Sequence, residues 1–333
     1  SRWPTLSYYA IGSIMTSNKS IMVALGGNAL SPKDQTGTIK EQFERTRQSL
    51  NGIMEFIDIG YNICITHGNG PQVGNELLRM DLTHEQVPPL PLGLCVAATQ
   101  GTIGYMIQQS LQNKLRTFEL DREVVTLVTQ VRIDENDSAI SNPTKFIGKT
   151  YSEETAKSYA NKLGWDIAEQ NPGEWRRVVP SPLPHYVMHG KSIKALVDRG
   201  TIVLAAGGGG IPVYNDKDYR LKGLDAVIDK DLTAAKLGRV IRAQELWIIT
   251  DIDYVYLRFK KEGQKAISQM TTIEAEKYLQ EGEFKKGSMA PKIKAALYFL
   301  KHYGEKVIIT SIPSIQKAIN GKAGTEIIKS EIG

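Results

Sequence analysis

Residues 66–74 read Thr66-His67-Gly68-Asn69-Gly70-Pro71-Gln72-Val73-Gly74 and follow directly on the strand-like run Tyr61–Ile65. An apolar strand that empties into a glycine-rich turn presents bare backbone N–H groups where an anion binds. Gly68 and Gly70 let the chain turn sharply and approach a ligand with no Cβ in between. No Gly-Lys-Ser/Thr follows, so this is not the common P-loop, and whatever binds here is held differently. One such turn alone reads equally well as a tight strand–helix connection.

The device recurs. Ile21–Leu25 runs into Gly26-Gly27-Asn28-Ala29, and Thr201–Ala206 runs into Gly207-Gly208-Gly209-Gly210-Ile211-Pro212. In an open parallel sheet the carboxyl ends of the strands share one edge, and ligands collect there. Three glycine corners on that edge predict a broad cleft for an anion. Further strand candidates are Val124–Val128, Glu245–Thr250 and Lys306–Thr310, mostly short apolar runs suited to strands covered on both faces. Helical periodicity falls at about 38–59, 95–116, 152–163, 190–199, 230–238, 290–303 and 314–320. Ser152 ahead of Glu153 and Glu154 reads as a cap, Gly164 as a stop, and Thr271–Glu274 as a capping box closed by Gly282. Strands alternating with helices predict a doubly wound α/β sandwich.

Two stretches interrupt the alternation. Residues 130–185 carry Pro143, Pro172, Pro180, Pro182 and Pro184 around one helix, as a protruding lid or a plain surface excursion would. Residues 254–268 read as a hairpin turning near Glu262-Gly263. Residues 1–18 lack the periodicity of the rest and the pattern of a signal peptide, and read as an added, disordered leader with the natural chain starting near Met15.

Composition sets bounds. With 41 Lys plus Arg against 36 Asp plus Glu, the net charge of +5 is too mild to argue for nucleic acid. No apolar run reaches the ~20 residues that span a membrane. Cys64 and Cys95 sit in apolar surroundings and read as reduced core residues of a cytoplasmic protein. The five histidines are scattered, so no metal ligand set is expected.

The densest polar cluster is Gly223–Ala235, where Asp225, Asp229, Lys230 and Asp231 lie among apolar residues. Such charges are costly unless paired or used. The plain reading is a capped helix start, with Asp229 or Asp231 serving first-turn amides and Asp225 in a structural pairing. Gly287-Ser288-Met289-Ala290-Pro291-Lys292 places a lysine at a helix start, where the macrodipole disfavours a cation and a phosphate would explain it. Lys145 follows Asn142-Pro143-Thr144. His67 reads as a packing or hydrogen-bonding residue, and Asp251 and Asp253 as ribose contacts or caps on the ligand edge.

Taken in order, ALGGNAL at 24–30, THGNGPQVG at 66–74, QGTIGYMIQQ at 100–109, NPTKFIGK at 142–149 and RRVVPSPLP at 176–184 form a set. AAGGGGIPV at 205–213, GLDAVIDKDLTA at 223–234, GSMAPK at 287–292 and GTEII at 324–328 complete it. On these motifs the chain resembles the carbamate kinases of the amino acid kinase superfamily, from about Ile21 to Lys329. The resemblance implies a three-layer αβα sandwich with a mostly parallel central sheet and a protruding lid subdomain. It implies a kinase domain over 19–333, with the lid at about 130–185 and a nucleotide-binding lobe at about 215–333.

It also implies reversible phosphoryl transfer between ATP and carbamate, giving ADP and carbamoyl phosphate, with ATP made in arginine fermentation. Mg²⁺ accompanies the nucleotide, and a cytoplasmic homodimer is implied. By motif, Gly26, Gly27, Asn28, Gly68, Asn69 and Gly70 hold the substrate, and Lys145, Lys230 and Lys292 contact phosphate, organised by Asp231. Gly208, Gly209, Asp251, Tyr256, Ser288 and Met289 fall where the nucleotide binds. Phe146, where proline is usual, and Ala290, where glycine is common, depart from the pattern. Carbamate is already an anion and needs no general base, which accounts for the lack of a placed histidine or carboxylate dyad. Alternatives are a related kinase acting on another small carboxylate and a catalytically silent nucleotide-binding module. A dinucleotide oxidoreductase is disfavoured by Pro71 within the turn.

Overall fold

Every residue of the strand Ser20–Leu25 is buried, and its two faces feed two different cores. Met22 and Ala24 pack with Ala234, Leu237, Ile293 and Phe299. Ile21, Val23 and Leu25 pack with Leu50, Ile53, Phe56, Ile103 and Ile107 on the other side. The period-2 alternation of strand side chains thus divides one apolar run between two helix layers. Cys64, Leu246 and Ile248 join the first core, while Ile63, Ile65, Trp247 and Ile249 join the second. Each Val, Leu, Ile, Met or Phe among them contributes roughly 1.5–3 kcal/mol by leaving water.

The computed structural model describes residues 19–27, 30 and 38–330; the leader reading for residues 1–18 lies outside them. The main sheet has eight strands. From one edge to the other these are Gln269–Thr271, Thr325–Ile328, Lys306–Ser311, Glu245–Thr250, Ser20–Leu25, Asn62–His67, Ile202–Leu204 and Val124–Thr126. The last six run parallel, and Thr325–Ile328 pairs antiparallel to Lys306–Ser311. Helices Ile39–Asp58 and Leu92–Thr117 cover one face, Lys230–Val240 and Met289–His302 the other. This is the three-layer sandwich expected from the sequence.

Local signals account for most boundaries. Ser152 caps Glu153–Leu163 through the Thr155 amide, and Gly164 closes that helix at φ 69°. Thr271 and Glu274 form a reciprocal capping box. Ile202–Leu204 is shorter than its apolar run because Ala206 already turns at φ 53°. The hairpin pairs Val255–Leu257 with Lys265–Ile267.

Three features were not expected from the sequence. Gly70–Thr83 is a helix; Pro71 falls in its first turn, where a missing N–H costs nothing. Edge strands Gln269–Thr271 and Thr325–Ile328 extend the sheet. Residues 130–185 hold far more than one helix. Gln130–Ile133 and Pro184–Val187 join a four-stranded sheet with Ile211–Asn215 and Leu221–Gly223. Lys145–Tyr151, Glu174–Val179 and Asp166–Asn171 form a separate three-stranded sheet carrying the helix Glu153–Leu163. Ile147 and Val179 of that sheet pack on Val73, Leu77, Leu92, Cys95 and Val96. Tyr151 Oη also donates to Asp81.

Candidate active site

Parallel pairing brings the carboxyl ends of Ser20–Leu25, Asn62–His67, Ile202–Leu204 and Glu245–Thr250 to one edge. The glycine corners follow them there and lock together through backbone. Gly26 N donates to Ile249 O and Gly68 N to Leu25 O, each at 2.9 Å. A Cβ on Gly68 would lie 2.8 Å from Gly27 N, so only glycine permits this approach. Asn69 is buried, and its amide donates to Thr99 Oγ1 at 3.0 Å. Gly70 then opens the helix Gly70–Thr83, with Pro71 in its first turn. Asn28 lies outside the described residues. Gly208 sits at φ 67° with its Cα hydrogen turned to Asn69, where a Cβ would come within 2.2 Å of the amide nitrogen. Gly209 packs on the Ile228 carbonyl and accepts from Thr233 Oγ1 at 2.8 Å.

Asp229 does cap the helix Lys230–Val240: its Oδ1 accepts from Asp231 N at 2.9 Å and Leu232 N at 3.1 Å. That geometry turns Lys230 and Asp231 toward the edge. Lys230 Nζ donates to Asp231 Oδ1 at 2.5 Å, and Lys292 Nζ donates to Asp231 Oδ2 at 2.8 Å. Burial pushes the Asp231 carboxyl up, but the two ammoniums and their hydrogen bonds outweigh it and hold it below the usual carboxylate range. Burial lowers the Lys230 pKa, opposed by Asp231. His67 is fully buried, which pulls it down to about 4 despite its contact with Gly68 O, with Lys230 adding to the fall. It is therefore a neutral packing residue lying against Gly207.

Two cavities meet at this triad. A cleft of about 290 Å³ is lined by Gly68, Asn69, Gly70, Lys145, Phe146, Arg176, Gly208, Lys230 and Asp231. A larger cavity of about 1050 Å³ is lined by Asp251, Tyr256, Phe259, Ser288, Met289 and Lys292. The structure therefore groups Lys145 and Lys230 on the small cleft and Lys292 on the large one, with Asp231 gripping a lysine from each. Gly208 borders the small cleft rather than the large cavity, and Gly27 lies behind Gly68.

Asp253 accepts from Ser311 Oγ and, at 2.9 Å, from Ser314 Oγ, so it is tied to the turn after Lys306–Ser311 through side chains. Asp225 is a structural pairing residue: it accepts from Leu92 N at 2.9 Å and Arg177 Nη2 at 3.1 Å. Ala290 lies within the helix Met289–His302 and not at positive φ, so the absence of glycine there is harmless. Arg176 was missed as a lining residue. Two arginines stand side by side in the sequence, and only the pairing of Glu174–Val179 shows which one meets the cleft.

Among the described residues, no three His, Cys, Asp or Glu side chains cluster as metal ligands. No helix among them is long and apolar enough to cross a membrane.

Comparison with known proteins turns this geometry into a class. The model of the amino acid kinase family matches residues 19–311, and the chain belongs to that family of phosphotransferases. The carbamate kinase of Pyrococcus furiosus is 44% identical over 93% of this chain and 99% of its own length. Carbamate kinase 2 of Staphylococcus epidermidis is 44% identical over 92% and 98%. The structure of carbamate kinase from Giardia lamblia bound to AMP-PNP superposes with a TM-score of 0.89 at 36% identity, covering 95% of this chain and all of that one. Within the amino acid kinases, this chain stands with the carbamate kinases.

Proposed function

We propose that the protein transfers a phosphoryl group reversibly between ATP and carbamate, yielding ADP and carbamoyl phosphate. The observation that carries this reading is the Asp231 carboxylate, which holds Lys230 of the small cleft and Lys292 of the large cavity at 2.5 and 2.8 Å. A phosphoryl group passing between two sites needs positive charge that follows it across, and the triad supplies one lysine at each end.

The small cleft takes carbamate or the carbamoyl end of carbamoyl phosphate, against the close-packed corner that Gly26, Gly27, Asn28 and Gly68–Gly70 build. The large cavity takes the nucleotide, with Asp251, Tyr256, Ser288 and Met289 as contacts and the lobe from about 215 to 333 as its wall. Gly208 and Gly209 hold the corner between Asn69 and the helix Lys230–Val240. Residues of about 130–185 act as the lid and bring Lys145 to the cleft. In a loose phosphoryl transfer, charge spreads over the equatorial oxygens, and catalysis is mostly alignment and electrostatics. Preorganised donors of this kind are worth about 3–4 kcal/mol each. Asp231 orients the two ammoniums and abstracts no proton. Mg²⁺ arrives as part of the nucleotide substrate, neutralising its phosphates and keeping its own waters.

The family's setting extends the proposal to ATP production at the end of arginine fermentation, by a cytoplasmic homodimer. Both cysteines are free and buried, which suits a reducing compartment. The test is to supply ADP, Mg²⁺ and carbamoyl phosphate and follow ATP, with acetylglutamate and aspartate assayed alongside carbamate in the reverse direction. ATP formation above the enzyme-free rate is expected. Its absence overturns the reading, and phosphorylation of acetylglutamate or aspartate instead moves the substrate elsewhere in the family.

A further inference from the structure

The block 176–184 contributes a residue to the cleft to which no role has been given. Phe146 pairs with Val178 across the three-stranded sheet, which sets Phe146 and Arg176 on the same face. The Arg176 guanidinium lies 5.9 Å from the Phe146 ring centroid, and both residues line the small cleft with Lys145 and Lys230. Arg177, one residue on, turns to Asp225 and the Trp165 ring instead.

Arg176 is tethered in place. Nη2 donates to Gly148 O at 2.6 Å and Nη1 to Gln170 Oε1 at 3.0 Å. Nε is buried with no hydrogen-bond partner among the described residues. Both tethers are neutral, so the guanidinium forms no salt bridge with a carboxylate among the described residues. Burial also lowers its pKa, a sign that its charge is incompletely compensated. The acids on the same wall are already engaged: Asp229 caps its helix and Asp231 is held by two lysines. A planar cation with spare donor capacity fits an oxyanion far better than a neutral guest.

We propose that Arg176 is an anion-binding residue of the small cleft, a third cation beside Lys145 and Lys230, that grips the phosphate or carboxylate end of the substrate. The proposal deepens the carbamate kinase reading and rests on it for the identity of that substrate. Phe146 backs the guanidinium and fixes its height over the cleft.

The test compares Arg176→Gln and Arg176→Lys with the unmodified protein in two measurements. One is ATP formation with carbamoyl phosphate and ADP varied separately; the other is the rise in melting temperature given by inorganic phosphate. Arg176→Gln is expected to raise the KM for carbamoyl phosphate about tenfold or more, as loss of a charge-assisted hydrogen bond does. The KM for ADP and the ligand-free melting temperature stay unchanged, the phosphate-induced rise shrinks, and Arg176→Lys restores part of both effects.

Unchanged KM for carbamoyl phosphate with unchanged phosphate stabilisation overturns the proposal. So does a parallel rise in both KM values with a fallen melting temperature, which marks a structural prop for Gly148. If the unmodified protein makes no ATP, the carbamate kinase reading fails by itself. The phosphate measurement then still decides whether Arg176 binds an anion.

Discussion

Lys292 reaches Asp231 Oδ2 at 2.8 Å although 61 residues of chain separate them. With Lys230 on the other oxygen at 2.5 Å, one carboxylate serves two ammoniums that are only 13% and 14% exposed. Neither lysine has the solvent access that usually keeps such a charge in place, so each depends on Asp231.

Replacing Asp231 with alanine leaves two buried cations facing each other. Removing one partner of a buried ion pair costs about 3–5 kcal/mol, and urea unfolding should show a loss of that size together with loss of turnover. Lys230→Ala and Lys292→Ala should each lower kcat by roughly 10²–10³ with the fold retained by circular dichroism. Near-normal rates in both lysine variants would remove them from the mechanism.

His67 gives the protein an acid-side weakness. Burial lowers its pKa to about 4 in the folded chain, against about 6.5 when unfolded. The unfolded state therefore binds the proton first, and stability that is complete above about pH 6.5 declines as pH falls toward about 4, by roughly 3 kcal/mol in all. His67→Gln should flatten that slope in urea titrations run at several pH values. An identical slope in the variant would assign the acid sensitivity to other groups.

The two glycines of the 66–74 corner should differ sharply. A Cβ on Gly68 meets Gly27 backbone at 2.8 and 3.0 Å, whereas one on Gly70 meets nothing within 4 Å. Gly68→Ala should cost about 1–3 kcal/mol through forced backbone movement, while Gly70→Ala leaves the melting temperature nearly unchanged. Equal melting temperatures for the two variants would refute this packing.

Arg177 and Asp225 clasp the three-stranded sheet to the segment that leads into Lys230. Arg177 is 16% exposed and Asp225 48%, so a double-mutant cycle should give a coupling of about 1 kcal/mol or less. Asp225→Ala should cost more than Arg177→Ala, because Asp225 also accepts from Leu92 N. The reverse order would mean that the Leu92 contact contributes little.

What the sequence revealed depended on how local each signal was. Ile21–Leu25, Glu245–Thr250 and the caps at Ser152 and Thr271 were legible because a few neighbouring residues determine them. The strands of 145–151, 166–171 and 174–179 were not, since they are half-exposed, carry no continuous apolar run and pair only with one another. The helix Gly70–Thr83 hid behind Gly70, Pro71 and Gly74, which read as a loop until Pro71 is seen in the first turn. Lys145, Lys230, Asp231 and Lys292 stood out by motif. Their division between two cavities did not, because it follows from tertiary placement.

The strand Ser20–Leu25 sits between Asn62–His67 and Glu245–Thr250, and this has a consequence for biosynthesis. As the chain emerges, the edge facing residues 62–67 finds its partner early. The opposite edge waits for a stretch that begins with Gln244, which meets Ser20 N across 224 residues. At ~5–20 residues per second, translation of that interval takes roughly 10–45 s. Throughout that time a strand that is apolar from Ile21 to Leu25 carries unpaired amides and carbonyls, the condition that invites association between nascent chains.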